Sequence, residues 1–220
     1  MRLTHLGHSC LLVEVAGARL LVDPGTFSPG VAALRGLDAV LVTHQHGDHL
    51  DVARLPALLD ANPGARVIAE PESAEIVDGL STGVEVTPMA GGATTSVGAV
   101  TVAGVGEQHA LIHEWVRRPP NTGFLISADD EPTLFHPGDA YDAVPGREVD
   151  VLALPLSAPW AAIRETLGFV RRLSPRWVVP IHDALLKPDG RALYLDHVGR
   201  FGAESSAVKD LADGSPWHAA

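Results

Sequence analysis

Apolar residues fall along this chain in short runs separated by Gly, Pro and Asp. Runs of this kind, rich in β-branched residues and leucine and bounded by turn formers, predict strands. The candidates are Arg2 to His5, Ser9 to Val15, Arg19 to Val22, Ala39 to Thr43, Ala65 to Ala69, Ala99 to Val105, Thr122 to Ser127, Thr133 to Phe135, Val149 to Leu154 and Trp177 to Ile181. Apolar residues recur instead at helical spacing in Leu50 to Leu59, Ser73 to Leu80 and Pro159 to Leu173, and less clearly in Ala203 to Leu211. One half of the chain runs to about Gly92 and a second begins near Thr95, each passing through strands, a helix and a returning strand. Two sheets packed face to face with helices outside accommodate that order, because each sheet must cover its apolar faces. The expected class is therefore α/β, and 220 residues, 46% of them hydrophobic, suffice for a single domain over 1–220.

Charge narrows the partners. Asp and Glu number 27 against 16 Lys and Arg, a formal net charge of -11. That excess opposes binding to nucleic acid or to an anionic membrane, so a small-molecule substrate is expected. The single cysteine, Cys10, sits in the apolar run Cys10-Leu11-Leu12-Val13 and reads as a small buried hydrophobe. Met1 to Leu6 lacks the apolar region of a secretory leader, and no apolar stretch reaches about 18 residues, so a cytoplasmic location is expected.

The chemistry concentrates after the run Ala39-Val40-Leu41-Val42. Residues 43 to 51 read Thr-His-Gln-His-Gly-Asp-His-Leu-Asp, which puts His44, His46, Asp48 and His49 at the mouth of a strand. More candidate ligands stand where other strands run out: His109 after Val105, Asp139 in His136-Pro137-Gly138-Asp139, and His182 after Ile181. Strand ends gathered on one sheet edge bring such residues together on rigid supports. Singly, His109 also reads as a loop histidine, Asp139 as a turn former and His182 as a capped core residue. Imidazole and carboxylate donors without thiolate suit zinc first, manganese second, and iron as well.

The series His44-x-His46-x-Asp48-His49, then His109, Gly138-Asp139 and His182, resembles the metallo-β-lactamase-fold hydrolases. The resemblance runs from Leu6-Gly7-His8-Ser9 and Leu21-Val22-Asp23-Pro24-Gly25 to Asp213-Gly214-Ser215-Pro216-Trp217. It is nearest the branch holding L-ascorbate-6-phosphate lactonase. It implies a four-layer αββα sandwich with the site along one edge. It also implies two divalent metal ions, with His44, His46 and His109 on one, Asp48, His49 and His182 on the other, and Asp139 bridging. Two such ions, offset by Asp48, Asp139 and a shared hydroxide, leave about one net positive charge in an acidic protein. That hydroxide is the expected nucleophile, with Asp48 handling a proton.

Around this set, Asp23 is placed either to accept the remaining N–H of a metal-bound imidazole or to cap the turn before Pro24-Gly25. His8 either projects into the cleft or satisfies nearby backbone, and His136 is a weaker candidate of the same kind. His5, His113, His197 and His218 read as surface or loop residues. Trp115, Arg117 and Arg118, in the segment after His109, suit an apolar group joined to an anion, although a plain loop with solvated arginines fits too. Lys187, Phe27 and Trp160 join them by position.

The expected function is hydrolysis of small anionic esters, lactones or phosphodiesters by a dinuclear-metal-bound hydroxide. A thioester hydrolase of the glyoxalase II type and a lactamase are alternatives, as is a redox or metal-binding protein on the same fold. Two-iron redox members of the family tend to replace a histidine of the first cluster with a carboxylate, which this chain does not do.

Overall fold

The computed structural model describes residues 1–220. Strands β1 (Arg2–His5), β2 (Leu11–Val15), β3 (Ala18–Val22), β4 (Ala39–Val42), β5 (Arg66–Ala69) and β6 (Val86–Pro88) belong to the first sheet. Strands β7 (Thr94–Val97), β8 (Val100–Val105), β9 (Gly123–Ser127), β10 (Leu134–His136), β11 (Val151–Pro155), β12 (Trp177–Ile181) and β13 (Ala207–Val208) form the second. A last strand, β14 (Trp217–His218), returns to the first sheet and pairs antiparallel with β1. The sheet orders are β14-β1-β2-β3-β4-β5-β6 and β13-β12-β11-β10-β9-β8-β7. In each sheet one half is antiparallel and the other parallel.

Helices α1 (Leu55–Asp60) and α2 (Pro71–Asp78) follow β4 and β5, while α3 (Ile163–Leu173) and α4 (Pro188–Phe201) follow β11 and β12. Strand alternation distributes the apolar side chains among three cores, since successive residues face opposite sides of a sheet. Leu41, Ile126, Ala153 and Val179 meet in the central core between the sheets. Val40 and Val42 turn the other way, onto Leu55, Leu58, Leu59 and Val77 of α1 and α2. Leu152, Leu154 and Val178 likewise cover Phe169 and Val170 of α3 and Val198 of α4. The result is the expected αββα sandwich. Strands such as β4, β9 and β11 are buried on both faces, which is why their sequences read as unbroken apolar runs.

Several elements differ from the sequence reading. The helical pattern over Ala203 to Leu211 is not a helix; it holds β13, which extends the second sheet beside β12. The helix in this region is α4, whose Gly190 and Gly199 and single fully buried residue, Val198, leave almost no apolar stripe to detect. Strands β6, β7, β13 and β14 are short edge elements, too brief or too polar to stand out. Leu50 to Arg54 forms turns rather than the start of α1. His5 is not a surface residue: it is buried in β1 and its Nε2 meets the carbonyl of His8 at 2.7 Å. No helix is long and apolar enough to cross a membrane.

Candidate metal centre

Every candidate ligand lies on a segment leaving one edge of the two sheets. His44, His46, Asp48 and His49 follow β4, His109 follows β8, Asp139 follows β10 and His182 follows β12. Close backbone packing brings these segments together. A Cβ added to Gly25, in the turn after β3, would stand 1.8 Å from the carbonyl oxygen of Asp48. At Gly138, where φ is +61°, it would meet Asn121 Oδ1 at 2.3 Å and Thr43 Cβ at 2.7 Å. Glycine therefore lets the Asp139 turn dock against the base of the His44 loop. Asn121 then fixes that turn, accepting from Asp139 N at 3.0 Å and donating to Pro137 O at 2.9 Å.

The imidazoles are oriented from behind. His49 Nδ1 donates to Asp23 Oδ2 at 2.7 Å, His182 Nδ1 to Ser157 O at 2.7 Å and His109 Nδ1 to Ala110 O at 2.6 Å. Thr43 Oγ1 donates to Asp23 Oδ2 at 2.7 Å and so offers its lone pair to His44 Nδ1 at 3.1 Å. With each Nδ1 carrying the proton, each Nε2 keeps a free lone pair in the neutral ring. These atoms converge. Three groups have their donor atoms within 4.8 Å of one another: His44, His46 and His109; His8, Asp48, His49 and His182; and His44, His49 and Asp139.

The donor set fits a cation. Nε2 of His109 and of His182, and Oδ1 of Asp139, are buried without a hydrogen-bond partner. Yet Asp139 Oδ1 lies 3.1 Å from His49 Nε2, and Asp139 Oδ2 lies 3.3 and 3.2 Å from His109 Nε2 and His182 Nε2. Ligands about 2.0–2.1 Å from a tetrahedral ion stand roughly 3.3 Å apart. Lone pairs at that spacing around Asp139, without hydrogen-bond geometry, are arranged for positive charge between them.

Electrostatics agree. Burial, followed by neighbouring imidazoles, lowers the pKa of His44 and His46. Burial also opposes charge on His49, but Asp139 and Asp23 outweigh it and hold that ring well above the usual histidine range. His182 is raised to about 9, with Asp139 and Asp48 overcoming burial. Burial works against the Asp139 and Asp48 carboxylates too; His49 and His182 keep Asp139 ionised, and the nearby His182 ring together with the hydrogen bond from His8 keeps Asp48 so. Asp23, His8 and His182 all hold left-handed backbone at φ of 49°, 53° and 56°. Such residues cost of order 1–3 kcal/mol each, which the packing around the site has to offset.

His8 is buried, with Nδ1 accepting from Ala184 N at 3.3 Å and Nε2 3.1 Å from Asp48 Oδ2. His136 instead ties backbone together, through Ser9 O at 2.9 Å and Gly138 N at 3.2 Å. Of the residues expected around substrate, Trp115 is 87% exposed and touches the ring of His113. Arg117 pairs with Glu72 at 2.6 Å, to which Gln45 also donates at 2.7 Å. Lys187 is exposed where α4 begins. Arg118 donates to the carbonyl of His109 and, with Leu111, Tyr141, Trp160 and Arg172, lines a cavity of about 540 Å³. Phe27 packs edge-on against His8. Sequence reasoning missed Thr43, Asn121 and Ser157, which act through hydroxyl, amide and carbonyl groups; the only signal was polar residues beside strand ends.

A family model described as "Beta-lactamase superfamily domain" matches residues 2–182. The chain belongs to that superfamily. It is 45% identical over 195 residues to Protein Rv0786c of Mycobacterium tuberculosis, covering 88% of this chain and 89% of that one. It is 30% identical over 196 residues to the UPF0173 metal-dependent hydrolase of Pyrococcus furiosus, covering 83% and 84%. Among solved structures, the metallo-β-lactamase fold protein YhfI of Bacillus subtilis superposes with a TM-score of 0.71 at 16% identity, covering 98% of each chain.

Proposed function

We propose that this protein is a metal-dependent hydrolase working with two divalent ions, zinc foremost, on small anionic esters, lactones or phosphodiesters. The observation that carries the reading is the convergence of Nε2 lone pairs on Asp139, whose Oδ1 has no hydrogen-bond partner, at ligand-to-ligand spacing. His44, His46 and His109 would hold one ion, Asp48, His49 and His182 the other, and Asp139 both. When bound, such a pair supplies Lewis acidity and brings water to ionise near neutral pH. Similarity to the P. furiosus relative, named a metal-dependent hydrolase, supports the hydrolytic assignment.

The protein's own groups do the rest. Asp48, with a quarter of its side chain exposed, is the acceptor for a proton at the cleft. Because His8 Nδ1 receives the Ala184 N–H, its Nε2 carries the proton and donates to Asp48 Oδ2, so His8 orients that carboxylate rather than competing as a ligand. Asp23 accepts from His49 and from both the N–H and hydroxyl of Thr43, which keeps His49 in the tautomer that presents Nε2. Arg118 and Arg172 line the neighbouring cavity beside Asp142 and Glu165, and their guanidinium groups can contact an anionic part of the substrate there.

The same donors would serve a thioester or a lactam carbonyl; an all-histidine first group favours hydrolysis over two-iron redox chemistry. Protein purified without added metal should carry close to two transition-metal ions per chain and cleave a chromogenic lactone or phosphodiester. Fewer than about one ion per chain contradicts the assignment.

A further inference from the structure

The segment joining β11 to α3 makes two separate contacts with the metal centre. Its first residue, Leu156, donates to Ile181 O at 2.8 Å, locking the segment to the end of the strand that delivers His182. Ser157 O then accepts from His182 Nδ1 at 2.7 Å. Three residues on, the buried Trp160 donates from Nε1 to Asp139 Oδ2 at 3.0 Å. Its ring stands edge-on to His109 and His182 and, at 4.8 Å, to Tyr141, whose hydroxyl is itself fixed by Pro155 O at 2.6 Å. The indole is thus packed among three rings, with its N–H on Asp139.

We infer that Trp160 is a positioning residue for Asp139: its N–H occupies one acceptor direction of Oδ2 and holds the carboxylate turned toward His109 and His182. The inference rests on the metal-dependent reading above and adds to it a residue that is not itself a ligand. A carboxylate without such a donor turns freely about its Cβ–Cγ bond, whereas one held by a fixed N–H presents its remaining lone pairs in set directions. Indole does not titrate in the working range, so this donor is present at every pH at which the imidazoles change charge. Space-filling alone does not require the bond. Trp177 packs on Trp217 with its Nε1 left without any partner.

The test compares cobalt(II) binding to wild type, Trp160→Phe, and protein with benzothienylalanine at position 160, an isostere that keeps both rings and lacks the N–H. The expected result is cobalt affinity about 10- to 100-fold weaker in both substituted proteins, with an altered visible cobalt spectrum and unchanged far-ultraviolet circular dichroism after metal stripping. In wild type, the Trp160 indole N–H resonance should shift on zinc addition while that of the exposed Trp115 stays put. Wild-type affinity and spectrum in the isostere, or an unmoved Trp160 resonance, overturns the inference even if Trp160→Phe is weak. Wild type that takes up less than about one cobalt ion sinks the metal-dependent reading itself.

Discussion

Asp23 and His49 form a buried pair in which Nδ1 of the imidazole donates to Oδ2 of the carboxylate at 2.7 Å, both side chains being fully removed from solvent. The same carboxylate accepts the backbone N–H of Thr43 at 2.8 Å and its hydroxyl at 2.7 Å. One aspartate at the end of β3 therefore sets the ring that faces Asp139 and the strand end that launches the histidine loop.

Replacing Asp23 by Asn turns an amide N–H toward groups that are all donors. Zinc affinity, read by competition with a chelator, is expected to fall by about 10- to 100-fold. Unchanged affinity in Asp23→Asn would show that the carboxylate serves only the turn before Pro24-Gly25.

His109 and His113 separate the proposed ligand from a loop histidine. His109 is buried with its Nε2 facing Asp139, whereas His113 is exposed beside Trp115. His109→Ala should remove metal and lower kcat/KM by at least about 100-fold, as should Asp139→Ala, while His113→Ala stays within about threefold of wild type. Equal losses in His109→Ala and His113→Ala would move the ligand to the wrong side of the loop.

The pKa directions predict how metal uptake depends on pH. His49 and His182 are raised, His182 to about 9, so in metal-stripped protein both rings carry protons that a cation must displace. Apparent zinc or cobalt affinity should climb as pH rises from about 6 toward about 9. The stripped fold behaves oppositely: groups raised above their unfolded value of about 6.5 stabilise it fully below that pH and lose this as pH passes their folded values. Asp48 and Asp139 are depressed, so their contribution is present above about 4 and is lost in acid. Calorimetry of stripped and loaded protein across this range would refute the assignment if metal affinity were flat with pH.

Gly138→Ala tests the close approach behind the site. Its Cβ would enter contact with Asn121 and Thr43 in a left-handed backbone conformation. A loss of roughly 1–3 kcal/mol in chemical denaturation is expected, with metal affinity reduced in parallel. Wild-type stability would mean that the Asp139 turn has room that the packing denies it.

Much of the fold was legible because its strongest signals are local. Runs such as Ala39–Val42 and Val178–Ile181 are apolar throughout because both faces of those strands are covered, and turn formers bracket them. The histidine loop was legible for the same reason, four candidate donors in six positions after such a run. Helix α4 was not, since most of its residues are exposed, only Val198 is buried, and no apolar stripe survives. The β13 and β14 strands were missed because two-residue edge strands are defined by their partners, β12 and β1, and by nothing in their own composition.

The linear order of residues by itself determined where the sheets begin, that the first histidine cluster follows β4, and that His109, Asp139 and His182 stand at strand ends. Only tertiary structure decided that Trp160 donates to Asp139 across 21 positions, and that His8 reaches Asp48 across 40. It also decided that Arg117 pairs with Glu72 while Arg118 lines the cavity. Composition and periodicity record which side of its own element a residue faces. Which atom of a distant element meets it depends on sheet order and crossing geometry, and no local pattern carries that information.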